Sequence, residues 1–246
     1  MEMHILDLIK SRPYLAANIL YLIWLVIGLF LVVPPKQRMI VIVSGLISLP
    51  CFPFLVLFEN NYWVQNRLGG WVLGIEDAIC SFAVAAMVWL VISILFRNRI
   101  SSEILTRGAF NRYISSAGIS VFIFMMLFSV EFLPMTALVL CNLIVWLVLV
   151  LLRRDLLLFS LSGMIAYGIV HFILMKSCFL FIPDFILTWN SQNLWGTPVF
   201  GVPLGEITWA MFYGAFWSLF MAHSFGIRLR TDFRKSAYWK MRPSDV

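Results

Sequence analysis

Residues 189–226 read WNSQNLWGTPVFGVPLGEITWAMFYGAFWSLFMAHSFG, and the rest of the chain is organised around them. The stretch opens as a polar, tryptophan-rich loop punctuated by Gly and Pro, then turns into an apolar helix at Pro203. One carboxylate, Glu206, falls in the first turn of that helix. Counting by fours from it gives Ala210, Gly214, Ser218, Ala222 and Gly226. Residues four apart share a helix face. The helix therefore carries a ridge of small residues headed by a single acid, a surface that admits close approach of another backbone or of a flat ligand.

The same design occurs earlier. Asn66, Gly69, Val72 and Gly74-Ile75 repeat the spacing of Asn193, Gly196, Val199 and Gly201-Val202. Two residues are inserted in the later copy, and an apolar helix follows in both. Asp77, Ser81 and Ala85 then match Glu206, Ala210 and Gly214. Short Gly/Asn matches arise easily by chance; their position ahead of corresponding helices is what makes this one an internal repeat.

With 62% hydrophobic residues, 12% charged and a mean hydropathy of +0.94, the chain is excluded from the ordinary soluble domains. Ten Trp and 22 Phe suit lipid and its interface. The expected fold class is an all-α integral membrane protein. Apolar runs predict about seven transmembrane helices, near 14–33, 39–58, 76–96, 113–131, 134–152, 156–175 and 204–225, each close to the roughly 20 residues a bilayer requires. Span one is read as retained, because no small-residue cleavage pattern follows it.

Residues 1–112 form a first three-helix repeat unit with a loop at 59–75. Residues 113–131 are a linking helix, 132–228 a second unit with a loop at 176–203, and 229–246 a basic cytoplasmic tail. Two units in the same orientation need an odd number of linking helices, which one span supplies. Parallel repeats of this kind often hold their site at the repeat interface. Helices three and seven would bring Asp77 and Glu206 near one another.

Of the 18 Lys and Arg, Lys10, Arg12, Arg67 and Lys176 fall on one side of this layout and the remainder on the other. The richer side is expected in the cytoplasm, with the N-terminus out and the C-terminus in, in a plasma or inner membrane. Lys10 and Arg12, next to span one, pull the other way. The net charge of +6 is thereby a topology signal, helped by attraction to anionic lipid headgroups. The basic tail is short and accompanied by no binding module, so no nucleic-acid partner is expected.

Ionisable residues inside a membrane are candidate functional groups. Glu206, Asp77 and Glu76 are therefore candidate functional residues, against the plainer alternative that each gains from the macrodipole at a helix N-terminus. His171 and His223 lie within spans six and seven, where a hydrogen-bonded packing role is favoured over a catalytic one. Asn142 is expected to bridge helices. The four cysteines have no CxxC or zinc spacing, and no phosphate loop or His-rich metal motif is present. No Lys stands in span seven to form a Schiff base, which excludes the retinal-protein reading.

A membrane loop with Trp, Leu and Gly, followed by Gly-x-Pro-Leu-x-Glu opening a helix rich in Trp and Phe, resembles the lycopene cyclase domain family. Those are small membrane cyclases of three-helix units, found as heterodimers or tandem fusions, with Pro-x-Glu-Glu/Asp once per unit. Here Pro203-Leu204-Gly205-Glu206 keeps the Pro and the second acid and has Gly for the first Glu. Gly74-Ile75-Glu76-Asp77 keeps both acids and has Gly for Pro.

The resemblance implies cyclisation of a linear polyene end: a proton delivered to a carbon–carbon double bond, a shielded carbocation, and removal of another proton, with neither cofactor nor metal. A carboxyl group beside apolar walls can stay protonated, because desolvation disfavours its charged form. Glu206, Asp77 and Glu76 become proton donor and acceptor candidates. Trp189, Asn193, Trp195, Pro203, Trp209, Gly214 and Trp217 become candidates for contact with the substrate. The Trp faces would stabilise a cation, unless they form an interfacial belt.

The expected partners are a lipid-soluble polyene or other hydrophobic ligand and membrane lipid, with the oligomeric state left open. A carrier, binding protein or partner subunit built on the same fold is the alternative, and a transporter with the carboxylates as a proton relay is a third.

Overall fold

The structure, a computed structural model, describes residues 11–64, 67–97, 99–100 and 108–229. Asn66 of the repeat, Lys10 and the basic tail beyond 229 lie outside the described residues. Prolines set several helix starts, since a Pro in the first turn lacks only an N–H that would have no partner there. Helix α1 spans Pro13–Leu31, α2 spans Pro35–Ser48 and α5 spans Pro134–Leu152. The others are α3 (Ile75–Leu95), α4 (Ala109–Ser129), α6 (Leu157–Phe181) and α7 (Leu204–Ser224). Pro50 and Pro53 remove donors from the α-ladder, and α2 accordingly runs on as a 3-10 segment, Leu49–Phe58. No strand forms among the described residues; isolated bridges join the loops.

Among the described residues, six helical segments are long and apolar enough to cross a bilayer: Pro13–Leu31, Pro35–Phe58, Ile75–Leu95, Ala109–Ser129, Pro134–Leu152 and Arg154–Phe181. This fits a multi-pass membrane protein. The expected seventh span forms a helix where it was placed, but α7 is not among these six. The physical reason is its position. α7 packs against α6, α5, α4 and α3, and most of its residues are buried by protein. A central helix needs no continuous apolar surface for lipid, so it can carry Glu206, Ser218, His223, Gly214 and several Trp and Tyr rings.

α3 is the other deeply buried helix, packed by α1 and α2. α4, by contrast, buries few of its residues.

At one end of the bundle, arginines close the C-terminus of α7. Arg112 Nε donates to the His223 and Ser224 carbonyls at 3.0 and 3.1 Å, and Arg153 donates to those of Ala222 and Ile227. Cations there complement both the free carbonyls and the helix dipole. At the other end the two long loops meet: Val64 N–H donates to Thr188 O at 2.7 Å and Asn190 N–H to Tyr62 O at 2.9 Å. This junction roofs the bundle above the N-termini of α3 and α7.

Candidate functional site: an acid facing an apolar cavity

The two acidic motifs differ at the residue that caps the helix, and the difference decides where each acid points. In α3 the cap is Gly74, whose backbone N–H donates to Asp77 Oδ2 at 2.9 Å. That is the returning half of a capping box, with the acid at the third helical position. In α7 the cap is Pro203, which has no N–H to give. Glu206, at the same helical position, is free to turn elsewhere.

Asp77 is further held by a cation. Arg67 Nε donates to its Oδ2 at 2.8 Å, Tyr14 hydroxyl donates to Oδ1 at 3.1 Å, and Arg67 also pairs with Glu59. Arg67 is 4% exposed and Asp77 fully buried. Burial works against the Arg67 charge, and the Asp77 and Glu59 carboxylates outweigh it, raising its pKa. Glu76 is fully buried as well; its Oε1 accepts from the Leu68 N–H, while Oε2 has no partner among the described residues. Both acids thus tie the 59–75 loop to α3.

Glu206 has different company. Its Oε1 accepts from the Trp189 indole N–H at 3.0 Å, and its Oε2 lies 3.5 Å from His171 Nε2. The opposite ring nitrogen, Nδ1, shares a 3.2 Å hydrogen bond with the Tyr21 hydroxyl. When Tyr21 donates, the proton of a neutral imidazole resides on Nε2 and faces Glu206. Glu206 and His171 are each 3% exposed, and Trp209 meets the imidazole edge-on at 5.3 Å. Tyr62 lies beside this group: burial first, then the neighbouring Glu206 charge, pushes its phenol well above the ordinary value, so it remains a neutral O–H.

Glu206 and His171 line a cavity of about 240 Å³ whose walls come from helices α1 to α7, the 3-10 segment after α2, and Trp63, Phe185, Thr188 and Trp189 of the two long loops. Its walls are mostly apolar or aromatic. One wall is a ladder on α7. Trp209 stacks on Tyr213 at 5.3 Å, Tyr213 on Trp217 at 5.6 Å, and Trp217 on Phe220 at 5.1 Å. All four rings line the cavity.

Of the residues singled out from the sequence, Glu206, Trp189, Trp209 and Trp217 come together here. Glu76, Asp77, Asn193, Trp195, Pro203 and Gly214 are not among the lining residues. Asn193 bonds the Asn61 carbonyl between the loops. Pro203 is buried as the α7 cap. Gly214 packs face to face with Gly163 of α6. Trp195 lies against Gly205, where an added Cβ would also meet the Tyr62 hydroxyl at 3.2 Å and Met135 at 3.7 Å.

Sequence reasoning passed over Tyr14, Asn18 and Tyr21, which do carry a signal: spacings of four and three put a polar-tipped row on one face of α1. Arg67 and Tyr62 sit in a loop without periodicity and gave none.

Residues 133–224 match the family model described as lycopene cyclase. Over this part, somewhat more than a third of its length, the chain is similar to that family. The matched segment takes in α5, α6, the Trp-rich loop and α7, and so contains Glu206, His171 and the whole aromatic ladder. No curated protein and no solved structure matches the chain.

Proposed function

We propose that the chain takes the end group of an open-chain isoprenoid into this cavity and isomerises it to a ring by proton transfer at Glu206. The observation that carries the reading is the environment of Glu206: buried, facing an apolar cavity, bonded by an indole N–H, 3.5 Å from an imidazole, and paired with no Lys or Arg among the described residues. In the proposed cycle the Glu206 carboxyl delivers a proton. Given to a terminal double bond, that proton leaves a tertiary cation; a neighbouring double bond closes the ring; loss of a proton from the adjacent carbon restores neutrality. The product is an isomer of the substrate, with no redox change. The carboxylate left at Glu206 is a base for the last step, and the ladder faces stabilise the cation between. Asp77 and Glu76 act by positioning the 59–75 loop.

The family match and the cavity volume support the same reading. About 240 Å³ exceeds the roughly 150 Å³ cavity that encloses benzene, so a ring-sized end group is accommodated.

The parallel-repeat arrangement is part of this proposal. Gly69 and Gly196, paired in the repeat, both take a left-handed backbone (φ 79° and 55°) that favours glycine. α3 packs on α1 and α2 as α7 packs on α5 and α6. We also place the end bearing Arg112 and Arg153 in the cytoplasm.

Gly205 favours a second reading, binding without turnover, because the Tyr62 hydroxyl stands beside the position where the family motif has an acid. The test is incubation of the protein in lipid nanodiscs with lycopene and with the open-chain ketone pseudoionone. A cyclic isomer of unchanged mass is expected from one of them. Bound ligand without conversion would replace the enzymatic reading by the binding one.

A further inference from the structure

An open-chain hydrocarbon satisfies the apolar walls of the cavity and leaves its polar atoms unserved. Asn142, 3% exposed, lines the cavity, and its amide nitrogen has no hydrogen-bond partner among the described residues. Whichever way the carboxamide is turned, one polar atom that needs a partner stays without one. Trp209 and Trp63 also line the cavity, and their buried indole N–H groups have no acceptor among the described residues. A buried donor left unserved is costly, and native interiors contain few of them. A further unserved indole, Trp89, is not a lining residue and packs on Phe159. Three such donors around one cavity therefore call for an acceptor on the occupant.

We infer that the natural ligand of this cavity is an isoprenoid bearing a carbonyl or ether oxygen, which accepts from Asn142 and Trp209 while the hydrocarbon end lies at Glu206. The inference rests on the isoprenoid reading above and narrows it to an oxygenated substrate class.

The helix register sets the separation. Trp146 of α5 donates to Ser160 of α6 at 3.0 Å, and Gly163 of α6 faces Gly214 of α7. Antiparallel counting puts Asn142 level with Tyr213, seven residues beyond Glu206, or about 10 Å along the axis. An oxygen held there leaves the reacting double bond some eight carbon–carbon bonds away, about the length of an open-chain end group. Trp209 lies between the two levels.

Binding of pseudoionone and of its counterpart with the carbonyl replaced by methylene, each to nanodisc-embedded protein by ligand depletion against empty nanodiscs, tests the inference. The ketone is expected to bind about tenfold tighter, the worth of one to two neutral hydrogen bonds. Asn142→Leu should erase most of that preference and leave the hydrocarbon bound as well or better. Trp209→Phe should reduce the preference while keeping an aromatic wall. Equal affinity of the native chain for the two ligands would overturn the oxygenated-ligand inference and leave the isoprenoid site standing. Failure of both to bind above empty nanodiscs would overturn the site reading, and this inference with it.

Discussion

Gly214 and Gly163 hold α6 and α7 at their closest approach, and a side chain at Gly214 has nowhere to go. A Cβ built there falls 2.6 Å from the Gly163 carbonyl oxygen and 2.9 Å from Tyr167 Cβ. The first of these is backbone, so only a helix shift can relieve it, by about 0.8 Å to reach ordinary contact. A gap of about 0.5–1 Å forfeits a quarter to a half of each van der Waals contact it opens. For Gly214→Ala, overpacking of about 1–3 kcal/mol is offset by about 0.8–1 kcal/mol of helix propensity, a small net loss. Gly214→Leu gains little more propensity and adds bulk at the same spot, so a loss of about 3 kcal/mol or more is expected. At about 2–4 °C per kcal/mol for a chain of this size, that is a fall in Tm of about 6–12 °C. Gly118 in α4 is the internal control, because a Cβ there meets nothing within 4 Å. The assay is heating of the detergent-purified protein followed by size exclusion. Gly214→Leu unfolding at the same temperature as Gly118→Leu would refute the reasoning.

The ion-paired acid, the motif glycine and the topology give further tests. Arg67→Met strands the buried Asp77 carboxylate and should cost about 3–5 kcal/mol; adding Asp77→Asn, which keeps an oxygen for the Gly74 N–H, should return part of it in the same heating assay. Gly205→Glu should lower Tm, and Tyr62→Ala in the same chain should restore some of the loss, since the Tyr62 hydroxyl is the nearest atom to the new Cβ. A reporter fused after Val246 should locate to the cytoplasm and one inserted within residues 189–198 to the opposite side; both on one side would remove the parallel-repeat proposal.

Apolar run lengths and Pro punctuation were enough to locate each α-helix of the described chain, because bilayer thickness and proline sterics act locally, though the expected span at 39–58 is α-helical only to Ser48 and α6 runs on to Phe181. The apolarity of α7 was misjudged for the same reason: a helix buried by its neighbours is released from the composition that lipid imposes, and run length alone cannot show which helix will be central. The acids were legible as positions and not as roles. The Gly74 and Pro203 difference was visible in the sequence; its consequence, a capped Asp77 and an uncapped Glu206, depends on which backbone N–H exists at each helix start. The Arg67 partner and the Tyr21–His171–Glu206 chain depend on contacts between residues far apart in sequence, which no periodicity encodes. The small-residue ridge turned out to be a seam between α6 and α7, with the cavity-facing surface one face over, on the Trp209–Phe220 ladder.

The central claim is that Glu206 moves the proton and Asp77 does not. The direct measurement is the rate of ring-isomer formation in nanodiscs by Glu206→Gln, whose amide oxygen still accepts from Trp189 and whose size is unchanged. A loss of about 10²-fold or more with Tm preserved is expected, while Asp77→Asn should lower Tm more than it lowers the rate per folded molecule. A well-folded Glu206→Gln that cyclises its substrate at the native rate would contradict the account.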